Sequence, residues 1–147
     1  MNGPVIFDTN ILIDLFSGRV EAKNTLDLYP PQHAISLITW MKVMVGAKRF
    51  HQERRTRMAL NAFEVIEISP EIAEKSVNLR QEYGMKLPDA IILATAHIHR
   101  RELVTRNTKD FATLPGVIVP YALLTGQGRP PGFTRELTPL PLGTGTG

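Results

Sequence analysis

Short runs of β-branched and apolar residues alternate along this chain with longer stretches of helical periodicity. Strands are predicted at residues 5–7, 34–36, 65–68, 103–105 and 117–119. Helices are predicted at residues 11–16, 20–29, 40–50, 52–63, 70–83 and 88–100. Because strand and helix alternate, the strands are expected to run parallel, with helices covering both faces of the sheet. The pattern predicts an α/β fold with a mainly parallel sheet of about five strands.

Length and composition limit the domain organisation and the cellular setting. A chain of 147 residues that is 43% hydrophobic buries one core, which we place in residues 1–124. Residues 125–147 contain ten glycines or prolines, so we predict a tail that is dispensable for catalysis. The absence of cysteine excludes disulfides and thiolate metal sites. No apolar run reaches the roughly 18 residues of a membrane span, and no export signal is evident, which predicts a cytoplasmic protein without membrane contact.

Three aspartates stand at comparable positions in distant segments. Asp8 follows the first predicted strand, Asp89 begins a predicted helix after Pro88, and Asp110 comes soon after the fourth strand. In a parallel sheet, polar sites form outside the carboxyl ends of the strands. We therefore expect the three carboxylates to lie in one cleft.

Gathered carboxylates predict a particular chemistry. At separations of about 5 Å they repel pairwise by about 3 kcal/mol at an effective dielectric near 20, so either a cation or a shifted protonation is needed to offset the cost. Oxygen-only ligation favours Mg²⁺ or Mn²⁺, which promotes attack of water on a phosphodiester. Each acid also has a structural interpretation: Asp8 as a helix cap, Asp89 as a first-turn acid and Asp110 as a turn residue.

Basic residues are concentrated in one part of the chain. Residues 42–57 hold six lysines or arginines against a single acid, Glu53, which suits a polyanion or, alternatively, a solvated helix face. The candidate RNA-binding residues are Lys48, Arg49, Arg54, Arg55 and Arg57, together with Arg106 and Lys109 beside the third acid.

Four segments, taken in order and at their spacing, resemble PIN-domain ribonucleases and specifically the VapC-type toxins of bacterial toxin–antitoxin pairs. They are residues 8–14 (DTNILID), 35–39 (ISLIT), 87–92 (LPDAII) and 105–111 (TRNTKDF). The resemblance extends over residues 5–119. It implies a Mg²⁺-dependent ribonuclease, frequent dimerisation and a cognate antitoxin. It also assigns Asp8, Asp89 and Asp110 as metal-binding acids, supported by Thr9, Asn10, Thr105 and Asn107.

Lys42 departs from the family pattern, which has a glutamate at this position. Thr39 is expected to open the helix, so that an acid at position 42 would complete a capping box, whereas a lysine would face the positive end of the helix dipole. The replacement changes the local charge by two units, each worth up to roughly 7 kcal/mol at about 5 Å from a divalent ion. We expect Lys42 to weaken metal binding and impair cleavage. Its ammonium would serve as an internal counter-ion or, alternatively, swing into water and leave a partly active three-acid site.

Two further hypotheses about function follow from the residues. The first is a nuclease-dead PIN module that binds RNA or an antitoxin without cleavage. The second is a haloacid-dehalogenase-like phosphatase with Asp8 as nucleophile, but its second aspartate is replaced by Asn10. A homodimer is expected, and the early helices carry apolar candidates for its interface. These candidates are Ile11, Leu12, Leu15, Trp40, Met44 and Val45.

Overall fold

The computed structural model describes residues 3–111 and 114–123, so the predicted tail at residues 125–147 lies outside the described residues. The strands are β1 (Val5–Phe7), β2 (Ala34–Ser36), β3 (Glu64–Ile66), β4 (Glu102–Val104) and β5 (Val117–Ile118). The helices are α1 (Thr9–Phe16), α2 (Val20–Asp27), α3 (Leu37–Arg49), α4 (Glu53–Leu60), α5 (Pro70–Tyr83), α6 (Leu87–Ile98) and α7 (Thr108–Phe111). Every predicted strand and helix is present, with boundaries that differ by a few residues.

The five strands form one sheet in the order β3-β2-β1-β4-β5, and every neighbouring pair is parallel. From β1 the chain moves outward through β2 and β3, and then returns to place β4 on the other side of β1. The strand order therefore reverses at β1, and the carboxyl ends of β1 and β4 form the switch point where such sheets bind ligands. The predicted α/β class and parallel sheet are confirmed.

Alternating side chains of each strand supply two separate apolar layers. In β1, Val5 and Phe7 belong to the layer covered by α1, α2, α3 and α4, whereas Ile6 points into the layer covered by α5 and α6. The neighbouring strand β4 behaves in the same way, with Val104 in the first layer and Leu103 in the second. Successive residues of a strand point to opposite faces of the sheet. A three-residue strand that is buried on both faces therefore consists of consecutive apolar residues.

The predicted start of α3 was wrong. The Ser36 hydroxyl accepts a hydrogen bond from the Ile38 amide at 3.2 Å, so Ser36 caps the helix and α3 begins at Leu37. Thr39 consequently lies inside the helix and does not open it. Lys42 is in the second turn, where a capping box is impossible and the helix dipole is weak. The local helix-start argument against lysine at this position therefore fails.

The short helix α7 was not predicted. Four residues are too few to display a helical period, so the sequence pattern resembled a turn. By contrast, α5 was predicted with both boundaries correct, because Ser69 caps it, Pro70 occupies its first position and Gly84 ends it with φ of 68°. Helix ends are predictable where the capping residues are strong.

Most of the predicted interface residues lie in the core. Ile11, Leu12 and Met44 are buried, and Leu15 and Trp40 pack against the buried cluster. Val45 alone of the six is well exposed, at 68%. No helix within the described ranges is long and apolar enough to cross a membrane.

A buried carboxylate connects three distant segments. Asp14 on α1 is fully buried and accepts two hydrogen bonds from the Arg106 guanidinium, at 2.7 and 2.9 Å, and one from the Tyr121 hydroxyl at 2.7 Å. Burial alone would lower the pKa of Arg106, but the Asp14 carboxylate holds that pKa above its usual value. Burial, together with the same carboxylate, raises the pKa of Tyr121. The three side chains tie α1 to the segments that follow β4 and β5.

Arg106→Gln is expected to lower the free energy of unfolding by about 3 kcal/mol, because it removes the guanidinium that donates to both oxygens of the buried Asp14 carboxylate and leaves Arg19 as a more distant cation, at 3.9 Å. Tyr121→Phe removes one hydrogen bond and should cost about 1 kcal/mol. Urea denaturation measures both. Lys23→Gln, which breaks an exposed pair with Asp27, is the control and should change stability little. Unfolding of Arg106→Gln at the same urea concentration as the control would contradict this structural role.

Candidate active site

Asp8 lies at the carboxyl end of β1 and is held by hydrogen bonds from both sides. The Thr9 amide donates to its Oδ1 at 2.6 Å, so Asp8 also caps α1. The Thr105 hydroxyl, at the end of β4, donates to Oδ2 at 2.7 Å. Asp8 is only 4% exposed. The capping interpretation of Asp8 is thus confirmed, and the orientation of its carboxylate is fixed by the start of α1 and the end of β4.

The polar residues predicted to support Asp8 form one network with it. Asn10 donates to Thr105 Oγ1 at 3.3 Å and to Asp8 Oδ2 at 3.4 Å, while its own Oδ1 accepts from the Arg106 amide at 3.1 Å. The Asn107 amide donates to Thr105 Oγ1 at 2.9 Å. Thr105 therefore collects contacts from both the start of α1 and the loop after β4.

Thr39 is a site-supporting residue whose role the sequence did not indicate. The Thr9 hydroxyl donates to the Thr39 hydroxyl at 3.1 Å, and Thr39 is fully buried. This contact fixes α3 against the start of α1. Lys42 follows on the same helix, is exposed, and acts electrostatically on Asp8 and Asp89.

Asp89 and Asp110 approach the site from the other layer of the fold. Asp89 is a buried residue in the first turn of α6, as predicted from Pro88. Asp110 is exposed on α7, where the Asn107 side chain donates to its Oδ2 at 2.9 Å and accepts from its amide at 3.1 Å. Asn107 therefore orients Asp110 as well as contacting Thr105.

Electrostatic interactions connect the three acids in series, from Asp8 to Asp89 and from Asp89 to Asp110. Burial raises the pKa of Asp8, hydrogen bonds from Thr105 and Thr9 lower it, Asp89 raises it and Lys42 lowers it, with a net upward shift. Burial likewise raises the pKa of Asp89, with Lys42 lowering it and Asp110 raising it further. Asp8 and Asp89 repel each other, and Asp89 and Asp110 repel each other. Lys42 provides positive charge to the first pair.

Carboxylate oxygens are the ligands that Mg²⁺ and Mn²⁺ prefer, and burial raises the pKa values of Asp8 and Asp89, so a cation would stabilise their disfavoured ionised forms. Within residues 3–111 and 114–123, however, no three acidic or histidine side chains lie close enough together to hold an ion as they stand. The donor chemistry of the acids fits a hard divalent cation, whereas the charge of Lys42 opposes it.

The candidate RNA-binding residues occupy different surroundings. Lys48 and Arg49 are exposed at the end of α3, and Arg54, Arg55 and Arg57 are exposed on α4. Arg57 pairs with Glu53 at 2.8 Å and lies over the Trp40 ring. Arg106 is engaged by Asp14, a partner that the sequence did not reveal because 92 residues separate the two. Lys109 lines a cavity with Asp110, next to the acids.

Comparison with known proteins places these features in a family. The PIN domain model matches residues 5–117. A chain of a toxin–antitoxin complex from Klebsiella pneumoniae is 71% identical, with a TM-score of 0.78 over 81% of this chain and 99% of that one. Comparison with curated proteins gave no significant match.

More distant structures share the fold. VapBC2 from Rickettsia felis, solved bound to a DNA fragment from its promoter, is 23% identical with a TM-score of 0.66, covering 80% of this chain and 96% of that one. VapC20 from Mycobacterium tuberculosis, a toxin that cleaves the sarcin–ricin loop, is 16% identical with a TM-score of 0.63, covering 78% and 98%. Because the PIN domain model matches most of its length, this chain belongs to the PIN domain family.

Proposed function

We propose that this chain is the toxin of a VapBC-type toxin–antitoxin pair and that it is an endoribonuclease, the activity typical of its family. The observation that carries the proposal is the electrostatic repulsion of Asp8 by Asp89 and of Asp89 by Asp110, with Asp8 following β1 at the sheet's switch point. Folded proteins concentrate uncompensated carboxylates mainly at functional sites. The 71% identity to a chain of a toxin–antitoxin complex supports the antitoxin as partner.

The residues of the proposed site have two roles, to bind the cation and to orient the acids that bind it. Asp8, Asp89 and Asp110 would hold Mg²⁺ or Mn²⁺, whose chemistry is to neutralise charge developing on phosphoryl oxygens. Thr9 and Thr105 orient Asp8 by direct hydrogen bonds. A cytoplasmic location belongs to the same proposal, since the RNA substrate is found there.

We further propose that Lys42 impairs cleavage in this chain. Its ammonium lowers the pKa of both Asp8 and Asp89, so it stabilises their ionised forms in the absence of a metal ion. The same positive charge repels a divalent cation. This observation favours, as a second candidate function, a nuclease-dead module that binds RNA or the antitoxin without cleavage.

Lys42→Glu is expected to tighten Mg²⁺ binding by about a hundredfold and to produce RNA cleavage, because it removes a cation and adds a ligand beside Asp8 and Asp89. Without metal, the added repulsion should lower the melting temperature, and Mg²⁺ should restore it. Calorimetry, thermal melting and cleavage of a labelled RNA measure these effects.

Two controls separate the possible causes. Lys42→Gln removes the cation without adding an acid and should bind Mg²⁺ with intermediate affinity. Lys23→Glu makes the same charge change on α2, which carries none of the site residues, and should leave Mg²⁺ affinity unchanged. Equal Mg²⁺ affinity in the wild type and Lys42→Glu would contradict the role of Lys42. Binding of Mg²⁺ without cleavage in Lys42→Glu would favour the nuclease-dead module.

The raised pKa of Asp89 gives a second test, in the pH dependence of stability. Between the ordinary value of 3.8 and the raised one, the folded state binds more protons than the unfolded state, so the free energy of unfolding falls as pH rises through this window. Asp89→Asn carries no charge and should melt at a higher temperature than the wild type at pH 7. The difference should shrink as pH falls below 3.8. A lower melting temperature for Asp89→Asn than for the wild type at pH 7 would contradict the conclusion that the ionised Asp89 carboxylate destabilises the folded state.

A homodimer is part of the proposal, and the exposed face of α3 supports it. Met41 and Val45 lie one helical turn apart and are 38% and 68% exposed. Val45→Glu is expected to shift the protein towards a monomer, as measured by light scattering at micromolar concentration. Val77→Glu, at an exposed valine on α5, should keep the wild-type mass. A wild-type monomer at that concentration would contradict the dimer.

A further inference from the structure

A cavity of about 290 Å³ opens beside Asp110, between α7 and the turn that joins α5 to α6. Its lining includes Tyr83, Lys86, Lys109 and Asp110. Tyr83 is 44% exposed, and both lysines are exposed. The cavity thus combines an accessible aromatic ring with two ammonium groups and one carboxylate.

Both walls of the cavity are held in place. In the α5–α6 turn, Gly84 adopts φ of 68°, a conformation that favours glycine, and the Arg80 guanidinium donates to the Met85 carbonyl at 2.7 Å. On the other wall, Phe111 is fully buried and fixes α7 against the second apolar layer. Tyr83 and Lys109 are therefore presented by elements with defined positions.

The cavity shares Asp110 with the proposed acidic site. Lys86 occupies the N-cap position of α6, three residues before Asp89, and acts electrostatically on that carboxylate. Asp110 belongs to both the cavity lining and the chain of acids. A ligand in the cavity would consequently lie next to the reacting centre. The cavity on α4, lined by Arg54 and Arg57 among others, has no site acid in its lining.

We propose that this cavity is the subsite for a nucleotide adjacent to the cleaved bond of single-stranded RNA, with Lys86 and Lys109 contacting backbone phosphates and Tyr83 stacking on a base. The proposal rests on the proposed ribonuclease function and deepens it. Two ammonium groups against one carboxylate leave the cavity with a net positive charge beside a negative centre. This pattern suits a polyanion such as RNA. The acids would act at the phosphate that reacts, and the two ammonium groups would neutralise the neighbouring phosphates. An exposed aromatic ring stacks on any base without sequence preference.

The phosphate contacts are tested by the salt dependence of binding. A labelled single-stranded RNA is titrated with the full chain in EDTA, so that no metal-dependent cleavage occurs, and fluorescence anisotropy is read at several salt concentrations. Lys86→Gln/Lys109→Gln should reduce the slope of log K against log salt by about 1.4, or about 0.7 per lost contact, and weaken binding about tenfold or more at 0.1 M salt. Lys23→Gln/Lys75→Gln removes the same charge outside the cavity and should keep the wild-type slope.

The stacking contact is tested separately. Tyr83→Ala should weaken RNA binding about fivefold to a hundredfold without changing the salt slope, because no charge is lost. Tyr83→Phe keeps the ring and should bind as the wild type does. With an RNA that is abasic throughout, Tyr83→Ala and the wild type should bind equally.

Wild-type affinity and slope in the Lys86→Gln/Lys109→Gln and Tyr83→Ala proteins would overturn the subsite while leaving the proposed ribonuclease function intact. Unchanged RNA affinity accompanied by weaker antitoxin binding in these variants would assign the cavity to the protein partner and overturn the subsite too. A wild-type chain that binds no RNA at all would contradict both the subsite and the proposed function.

Discussion

The hydrogen bond from Thr105 to Asp8 joins the carboxyl ends of the neighbouring strands β1 and β4, and the arrangement of the site depends on it. The bond is 2.7 Å long and buried, and it spans 97 residues of sequence. It exists because the chain crosses over after β3 and lays β4 beside β1, which brings two strand ends to the same edge of the sheet. Asn10, Arg106 and Asn107 then take their positions around this pair.

Negative charge at this edge is costly to the fold. Burial and mutual repulsion raise the pKa values of Asp8 and Asp89, so their ionised forms destabilise the native state at neutral pH. Lys42 offsets part of this cost with a side chain from α3. Under the proposed function, a residue that stabilises the folded chain would therefore act against the cation that the acids suit, so that stability and catalysis make opposite demands on this position.

A second buried carboxylate shows the opposite solution. Asp14 is fully buried, yet Arg106 contacts both of its oxygens and Tyr121 adds a third hydrogen bond. Because the negative charge of Asp14 is neutralised by these direct partners, Asp14 has a structural role, although it lies about a turn and a half of helix from Asp8. The backbone amide of Arg106 also contacts Asn10, so the structural network and the site network share one residue.

The sequence by itself determined the class of fold and the approximate position of each strand, and it predicted the three acids of the proposed site. These features are recognisable from local sequence signals. The signals are the apolar runs of the strands, the strong capping residues Ser69 and Gly84, and the four family motifs. Only the tertiary structure decided what surrounds each charge. Arg106 was predicted as a candidate for RNA but is engaged by Asp14, Thr39 was expected to open α3 but lies inside it, and Lys86 joined Asp110 at one cavity. Such pairings depend on side chains brought together across the sheet, and residue types along the chain carry no record of which distant neighbours they meet.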